Sequence, residues 1–207
     1  MADDSVPAGE FSAWLAEIQM AMRGEGGTDV PCGGCTACCT SSQFIHIEPH
    51  EHRALAAIPK ALVFPAPLRP KGHMLMGYDE HGRCPMLIDN ACSIYADRPQ
   101  TCRTYDCRVF AAAELDATDD GKPEIAQRAR RWDFSYADEN ARTRQAAVAA
   151  AAAFVRARRS EFPEGSLPPT VTHLAVLAVR VHEAFLNHEG DDVRLIFPSV
   201  NDVVSRR

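Results

Sequence analysis

Apolar residues recur at helical spacing along much of the chain. Phe11, Leu15, Ile18 and Met22 share one face over residues 11–23, and Gly24 follows as a stop. A second helix is predicted from Asp138 to Arg159, with Asp138 and Glu139 at its start and Arg156, Arg158 and Arg159 at its end, the order a helix dipole favours. A third runs over 172–187, with Leu174, Leu177, Val181 and Phe185 on one face, and ends before Gly190. Between these the pattern shortens. The His-containing stretch 44–52 leads into a short helix around 51–58, and Pro59, Pro65, Pro67 and Pro70 make 59–72 an irregular connector. Residues 73–78 and 83–88, on either side of Asp79-Glu80-His81-Gly82, predict a β-hairpin, and Asp89-Asn90-Ala91 predicts a second turn leading into 92–95. Pro99 suits the first position of a short helix carrying Cys102 and Tyr105, and 111–122 reads as a loop.

The expected fold class is an α-rich α+β protein. An N-terminal helix and Gly-rich lead (1–31) precede an irregular cysteine-cluster metal module with short β-hairpins (32–110). That module packs with a mainly helical C-terminal region (111–207). A chain of 207 residues, 46% hydrophobic, can bury a core of its own, so metal need not supply all its stability. The net charge of −6 and pI near 5.7 argue against nucleic-acid binding by bulk electrostatics. Basic clusters at Arg128, Arg130 and Arg131 and at Arg156, Arg158 and Arg159 read as solvated helix surface. The acidic start Met-Ala-Asp-Asp lacks a secretory signal, and the longest apolar run, 146–155, is too short to span a bilayer. The expectation is a cytoplasmic protein with no membrane or nucleic-acid partner. In a reducing compartment thiols rarely persist as structural disulfides.

That expectation gives the eight cysteines their meaning. Cys32-Gly-Gly-Cys35-Thr-Ala-Cys38-Cys39 sets four thiols in one tight stretch, with Gly33 and Gly34 free to turn the sulfurs together. Cys84, Cys92, Cys102 and Cys107 follow at gaps of x7, x9 and x4. Arg98, Arg103 and the helix start at Pro99 place positive charge near these thiols. A disulfide framework suits the even count but not the compartment, and isolated buried cysteines would not fall at x2, x2, x0 spacing. All eight, Cys32, Cys35, Cys38, Cys39, Cys84, Cys92, Cys102 and Cys107, are therefore candidate metal ligands. Neighbouring side chains point in different directions, so Cys38 and Cys39 should play unequal roles. Cys38, which completes the x2, x2 series, is the expected main ligand.

Three strings together resemble the CxxCxxCC, or YkgJ-type, cysteine-cluster family of zinc- or iron-chelating domains. They are the first cysteine block, Cys84-Pro-Met-Leu, and Cys92-Ser-Ile-Tyr-x-x-Arg98-Pro99-x-x-Cys102-Arg103. The resemblance implies a metal-chelating cluster and carries no single chemistry with it. One branch of the family resembles flagellin lysine methylases, which are longer.

Zinc sites are usually built from two close C-x2-4-C pairs, and the second block has no x2 pair. The run Cys32-x2-Cys35-x2-Cys38 instead resembles the ferredoxin loop that holds an iron–sulfur cube, although Thr40 stands after Cys39 where a ferredoxin would have proline. The spacing favours an iron–sulfur cluster over Zn2+, in a redox or structural role. Two other readings stay open: a metal-dependent enzyme (oxidoreductase or methyl-transferring), and a structural zinc module for contacts with a protein partner. His46, His50, His52, His73 and His81 flank the blocks and read as surface or core residues, and Tyr95 and Tyr105 as packing beside the site. No phosphate loop, dinucleotide fingerprint or nucleophile–base arrangement stands out.

Overall fold

A computed structural model describes residues 5–206. The chain divides into two compact units, one of Met1–Gln19 with Cys107–Arg207 and the other of Met20–Asp106. Helix outweighs strand, 45% against 15%, and the strands form only small sheets, so the fold is mixed α+β and α-rich.

The first unit opens on β1 (Val6–Glu10), which runs straight into α1 (Phe11–Met22). The Glu10 carboxylate accepts the Ala13 amide at 2.8 Å and so satisfies one of the free N–H groups of the first turn. Phe11, Leu15 and Ile18 of α1 are buried as their spacing predicts, and Trp14 joins them.

In the second unit, β2 (Ile45–Ile47) precedes α2 (His52–Ala57), and β3 (Val63–Pro65) and β4 (Met74–Met76) follow. Strand β4 pairs antiparallel with both β2 and β3. The expected pairing of 73–78 with 83–88 does not form. The turn at 79–82 does: Asp79 accepts the amides of His81 and Arg83 at 2.9 and 2.8 Å. The hairpin of this region is shorter, β5 (Leu87–Ile88) against β6 (Ala91–Cys92). Asp89 and Asn90 form its tip with φ of 49° and 58°, the left-handed pair a two-residue hairpin turn requires. Helix α3 (Gln100–Thr104) begins immediately after Pro99. A small core of Ile47, Ala54, Ile58, Met76 and Met86 holds the unit together, with Cys84 and Ile94 packed against it.

The first unit resumes with α4 (Arg108–Ala112), α5 (Pro123–Ala129) and β7 (Trp132–Ser135), which pairs parallel with β1. Phe134 of β7 lies 5.2 Å from Phe11 and 5.0 Å from Trp14, ring to ring. Then come α6 (Glu139–Ala157) and α7 (Val171–Val181), which pack together. Ala147 and Ala151 of α6 and Ala175 and Ala178 of α7 are all fully buried, small residues of a kind that lets helices approach closely. Asp138 caps α6 and Thr170 caps α7. The third expected helix stops at Val181. A 3-10 turn at His182–Phe185 leads into a hairpin of β8 (Leu186–Glu189) and β9 (Asp192–Leu195), and α8 (Val200–Ser205) closes the chain. Among the described residues no helix is long and apolar enough to cross a membrane.

Candidate metal centre

Seven of the eight cysteines lie in the second unit. The first block is built as two turns. The Cys35 amide donates to the Cys32 carbonyl at 3.0 Å around Gly33, whose φ of 57° suits a residue without Cβ. Cys38 and Cys39 sit in a 3-10 turn over Ala37–Thr40, where the Cys39 amide reaches the Thr36 carbonyl at 2.8 Å. A main-chain bond joins the two blocks: the Cys84 amide donates to the Cys39 carbonyl at 2.7 Å.

Cys84-Pro85-Met86-Leu87 forms a tight turn closed by Leu87 N–H on the Cys84 carbonyl at 3.0 Å. The amides of Met86 and Leu87 oppose the rise that burial imposes on the Cys84 thiol, electrostatic support of the kind a thiolate ligand uses. The β5–β6 hairpin brings Cys92 opposite Leu87, and Ser93 fixes the return with two hydrogen bonds to the Met86 carbonyl. Cys102 rides on α3.

The lead into the first block is tied to the base of α3, a feature the sequence did not suggest. Thr28, only 3% exposed, places both its amide and its hydroxyl on the Arg103 carbonyl, at 2.7 and 3.0 Å. Gln100 Nε2 reaches the Gly26 carbonyl at 2.6 Å. Arg98 lies 3.9 Å over the Tyr95 ring, donates to the carbonyls of Tyr95 and Thr28, and receives the Arg103 Nε–H on its own carbonyl. Tyr95, expected beside the sulfurs, donates its hydroxyl to Asp29 at 2.6 Å. The one sequence signal for this strap is Gly27, where an added Cβ would meet Arg103 at 2.7 Å.

The thiols share one electrostatic neighbourhood. Burial, then the charges of Cys84, Cys39 and Cys92, push Cys102 up to about 12 against the opposing pull of Arg98. Burial, then Cys84, Cys92, Cys32 and Cys35, push Cys39 up to about 11. Burial raises Cys84 as well, with Cys92 adding to it and the amides of Met86 and Leu87 opposing. Cys39, Cys84 and Cys102 therefore each feel the charge of sulfurs from the opposite block or from their own. Beside Cys38, the ligand that the spacing favours, Cys39 lies in the field of Cys84 and Cys92 and joins its main chain to Cys84. Cys107 belongs to the first unit, where it is 4% exposed and its sulfur accepts the Trp132 indole N–H at 3.1 Å.

Among the described residues, no three His, Cys, Asp or Glu side chains stand in the arrangement of a formed metal site. What fits a metal is the chemistry of the donor set. Half-buried thiols repel one another's negative charge, and a thiophilic cation removes that repulsion while taking the place of their protons. Four of the flanking histidines have other partners: His46 Nε2 and His73 Nδ1 are 3.0 Å apart, and His50 and His81 lie beside Glu48 and Glu80.

The CxxCxxCC family, described as a "putative zinc- or iron-chelating domain", matches residues 31–130, a span that contains all eight cysteines. No curated protein and no solved structure matches the chain.

Proposed function

Residues 31–130 belong to the CxxCxxCC family of metal-chelating domains, and from that premise we propose that the second unit holds a thiolate-ligated iron–sulfur cluster. The observation that carries this reading is the burial of Cys39, Cys84 and Cys102 within reach of one another's charge and of other sulfurs of both blocks, which makes these three thiols hard to ionise without a cation. Bound iron would replace the protons of those thiols and offset their mutual repulsion. Cys39, Cys84, Cys92 and Cys102 are the proposed inner donors, and Cys32, Cys35 and Cys38 form an arm held at its base by Thr28. Cys107, with the Trp132 indole on its sulfur, is assigned a packing role. Seven thiols in one unit exceed the four that either a tetrahedral ion or one iron–sulfur cluster uses, so the number does not choose between them; the ferredoxin-like x2, x2 spacing of Cys32, Cys35 and Cys38 is what favours a cluster. When bound, such a cluster supplies one-electron redox capacity, and the chain's own groups orient it and hold hydrogen-bond donors on its sulfur ligands.

One observation favours a second reading. The tight Cys84-Pro-Met-Leu turn, whose amides lower the Cys84 thiol against burial, also suits a structural zinc module. Purification without oxygen, followed by iron, zinc and acid-labile sulfide analysis, separates the two. A brown protein with iron and sulfide supports the cluster. A colourless protein with stoichiometric zinc supports the second reading and sinks the first.

A further inference from the structure

The outer face of the three-stranded sheet in the second unit carries donors that the thiolate centre does not use. Direct neighbours across β2, β4 and β3 are Ile45, Met76 and Val63 in one row and His46, Leu75 and Phe64 in the next. Side chains alternate along a strand, so the two rows lie on opposite faces. The row of Met76 faces the small core, against which Cys84 packs. The row of His46 faces outward, where the rings of Phe64 and Phe44 meet while 42% and 56% exposed.

His73 stands two positions before Leu75, on that outer face, and its carbonyl accepts the Ala66 amide at 2.9 Å. His46 Nε2 and His73 Nδ1 are 3.0 Å apart, with the ring planes within 10° of each other. The ring centroids are 5.1 Å apart, well beyond the two nitrogens, so the rings meet edge to edge and not face to face. A single proton between them makes the hydrogen bond. The next step of the ladder beyond Ile47 and Met74 sets Glu48 opposite His73. The two backbones stay side by side there, since a Cβ added at Gly72 would meet Pro49 at 3.2 Å. The Glu48 carboxylate now lies 3.4 Å from His50 Nδ1, and both side chains are exposed enough to turn.

We infer that His46, His73 and Glu48 form a second metal site, on the face of the sheet away from Cys84, that takes Zn2+. Metal–imidazole bonds are about 2.0–2.1 Å long, and two of them meeting between a square and a tetrahedral angle hold their nitrogens about 2.9–3.4 Å apart. The pair already stands at 3.0 Å. The rings turn until their lone pairs cross on the ion, and Glu48 swings from His50 to join them; without these movements the three donors do not surround one point. No proton has to leave, because the ring that now donates takes its other tautomer. Two imidazoles, a carboxylate and a water make an ordinary zinc donor set. Since all three side chains must move, the site binds more weakly than the thiolates, empties on purification and fills from added zinc. The inference uses no cysteine and is independent of the iron–sulfur reading.

The reduced full-length chain, labelled with 15N, is titrated with zinc chloride past saturation of its thiols while long-range 1H–15N spectra follow the histidine rings. The expected result is one further zinc-binding step that shifts His46 Nε2 and His73 Nδ1 and leaves His81 in place. His46→Ala and His73→Ala each weaken this step by about a hundredfold and Glu48→Gln by about tenfold, since losing even a partner of a metal ligand costs about 10–100-fold. His50→Ala, which frees Glu48, does not weaken it, and Cys39→Ser keeps it. The inference is overturned if zinc moves neither ring nitrogen, if it moves all the flanking histidines alike, or if Cys39→Ser abolishes the step. It is equally overturned if the two His→Ala variants bind as tightly as the unmodified chain. The spectra of the unmodified chain decide the matter even where a variant fails to fold.

Discussion

Replacing Gly27 with alanine tests whether the strap at 26–29 positions the first cysteine block. The new Cβ would stand 2.7 Å from the Arg103 Cβ and 3.2 Å from the Arg103 carbonyl oxygen. Carbon–carbon contacts settle at about 3.5–4.0 Å, so the two segments must separate by roughly 1 Å. That movement breaks the hydrogen bonds of Thr28 N and Oγ1 to Arg103, now 2.7 and 3.0 Å. Each contributes about 1 kcal/mol net, and because Thr28 is almost fully buried its donors lose more when left unpaired. The expected loss for the metal-free second unit is about 2–3 kcal/mol. Urea unfolding followed by far-UV circular dichroism reads it, with hydrogen exchange at the Thr28 amide as the local report. The Thr28 amide should lose protection even where the helices of the first unit keep theirs. Metal affinity should fall with it, by about tenfold for each 1.4 kcal/mol transferred to the arm. Unchanged Thr28 protection, with a stability shift below about 0.5 kcal/mol, would refute the reasoning.

The same account separates the cysteines. Cys39→Ser and Cys102→Ser should each abolish metal loading, whereas Cys107→Ser should retain full stoichiometry and lower stability by about 1 kcal/mol as the Trp132 N–H loses its sulfur; metal analysis beside thermal melts checks both. Protons are linked to loading because Cys39 and Cys102, held near 11 and 12, bind metal only as thiolates. Between pH 7 and 9 these two sites alone raise the apparent affinity by about a hundredfold per pH unit, Cys84 adds to the slope, and calorimetry in buffers of different ionisation enthalpy should find more than two protons released. In the metal-free chain the sign reverses. Both thiols sit above the ordinary value of 9.0, so their protonated forms favour the fold. That contribution is complete below pH 9 and is lost as pH climbs through 11 and 12, a trend that urea midpoints at increasing pH would detect.

Much of this molecule was legible in its sequence where the signal is local. Periodicity gave α1 within a residue, and Asp138 marked the start of α6 because a capping carboxylate acts on amides three residues away. The Asp89-Asn90 turn was readable for the same reason. Pairing over long separations was not. Strands β1 and β7 are set 126 residues apart at Val6 and Trp132, and Val-Pro-Ala-Gly-Glu has too little β-branched character to announce a strand. Strand β4 finds its partners in β2 and β3 because Met76 and Ile47 complete one small core, while residues 83–88 serve the Cys84 turn instead. Cysteine spacing announced a thiol cluster without giving each thiol its depth. Only the fold separates Cys39 and Cys102, raised by burial and by their neighbours, from Cys107 beneath its indole.

X-ray absorption at the iron and zinc edges of protein purified without oxygen tests the central claim most directly, because it reads both the element and its donors. The account predicts an iron edge with an all-sulfur first shell, at about the 2.3 Å typical of metal–thiolate bonds, lost in Cys39→Ser and intact in Cys107→Ser. A first shell of nitrogen and oxygen, or full metal occupancy in Cys39→Ser, would contradict it.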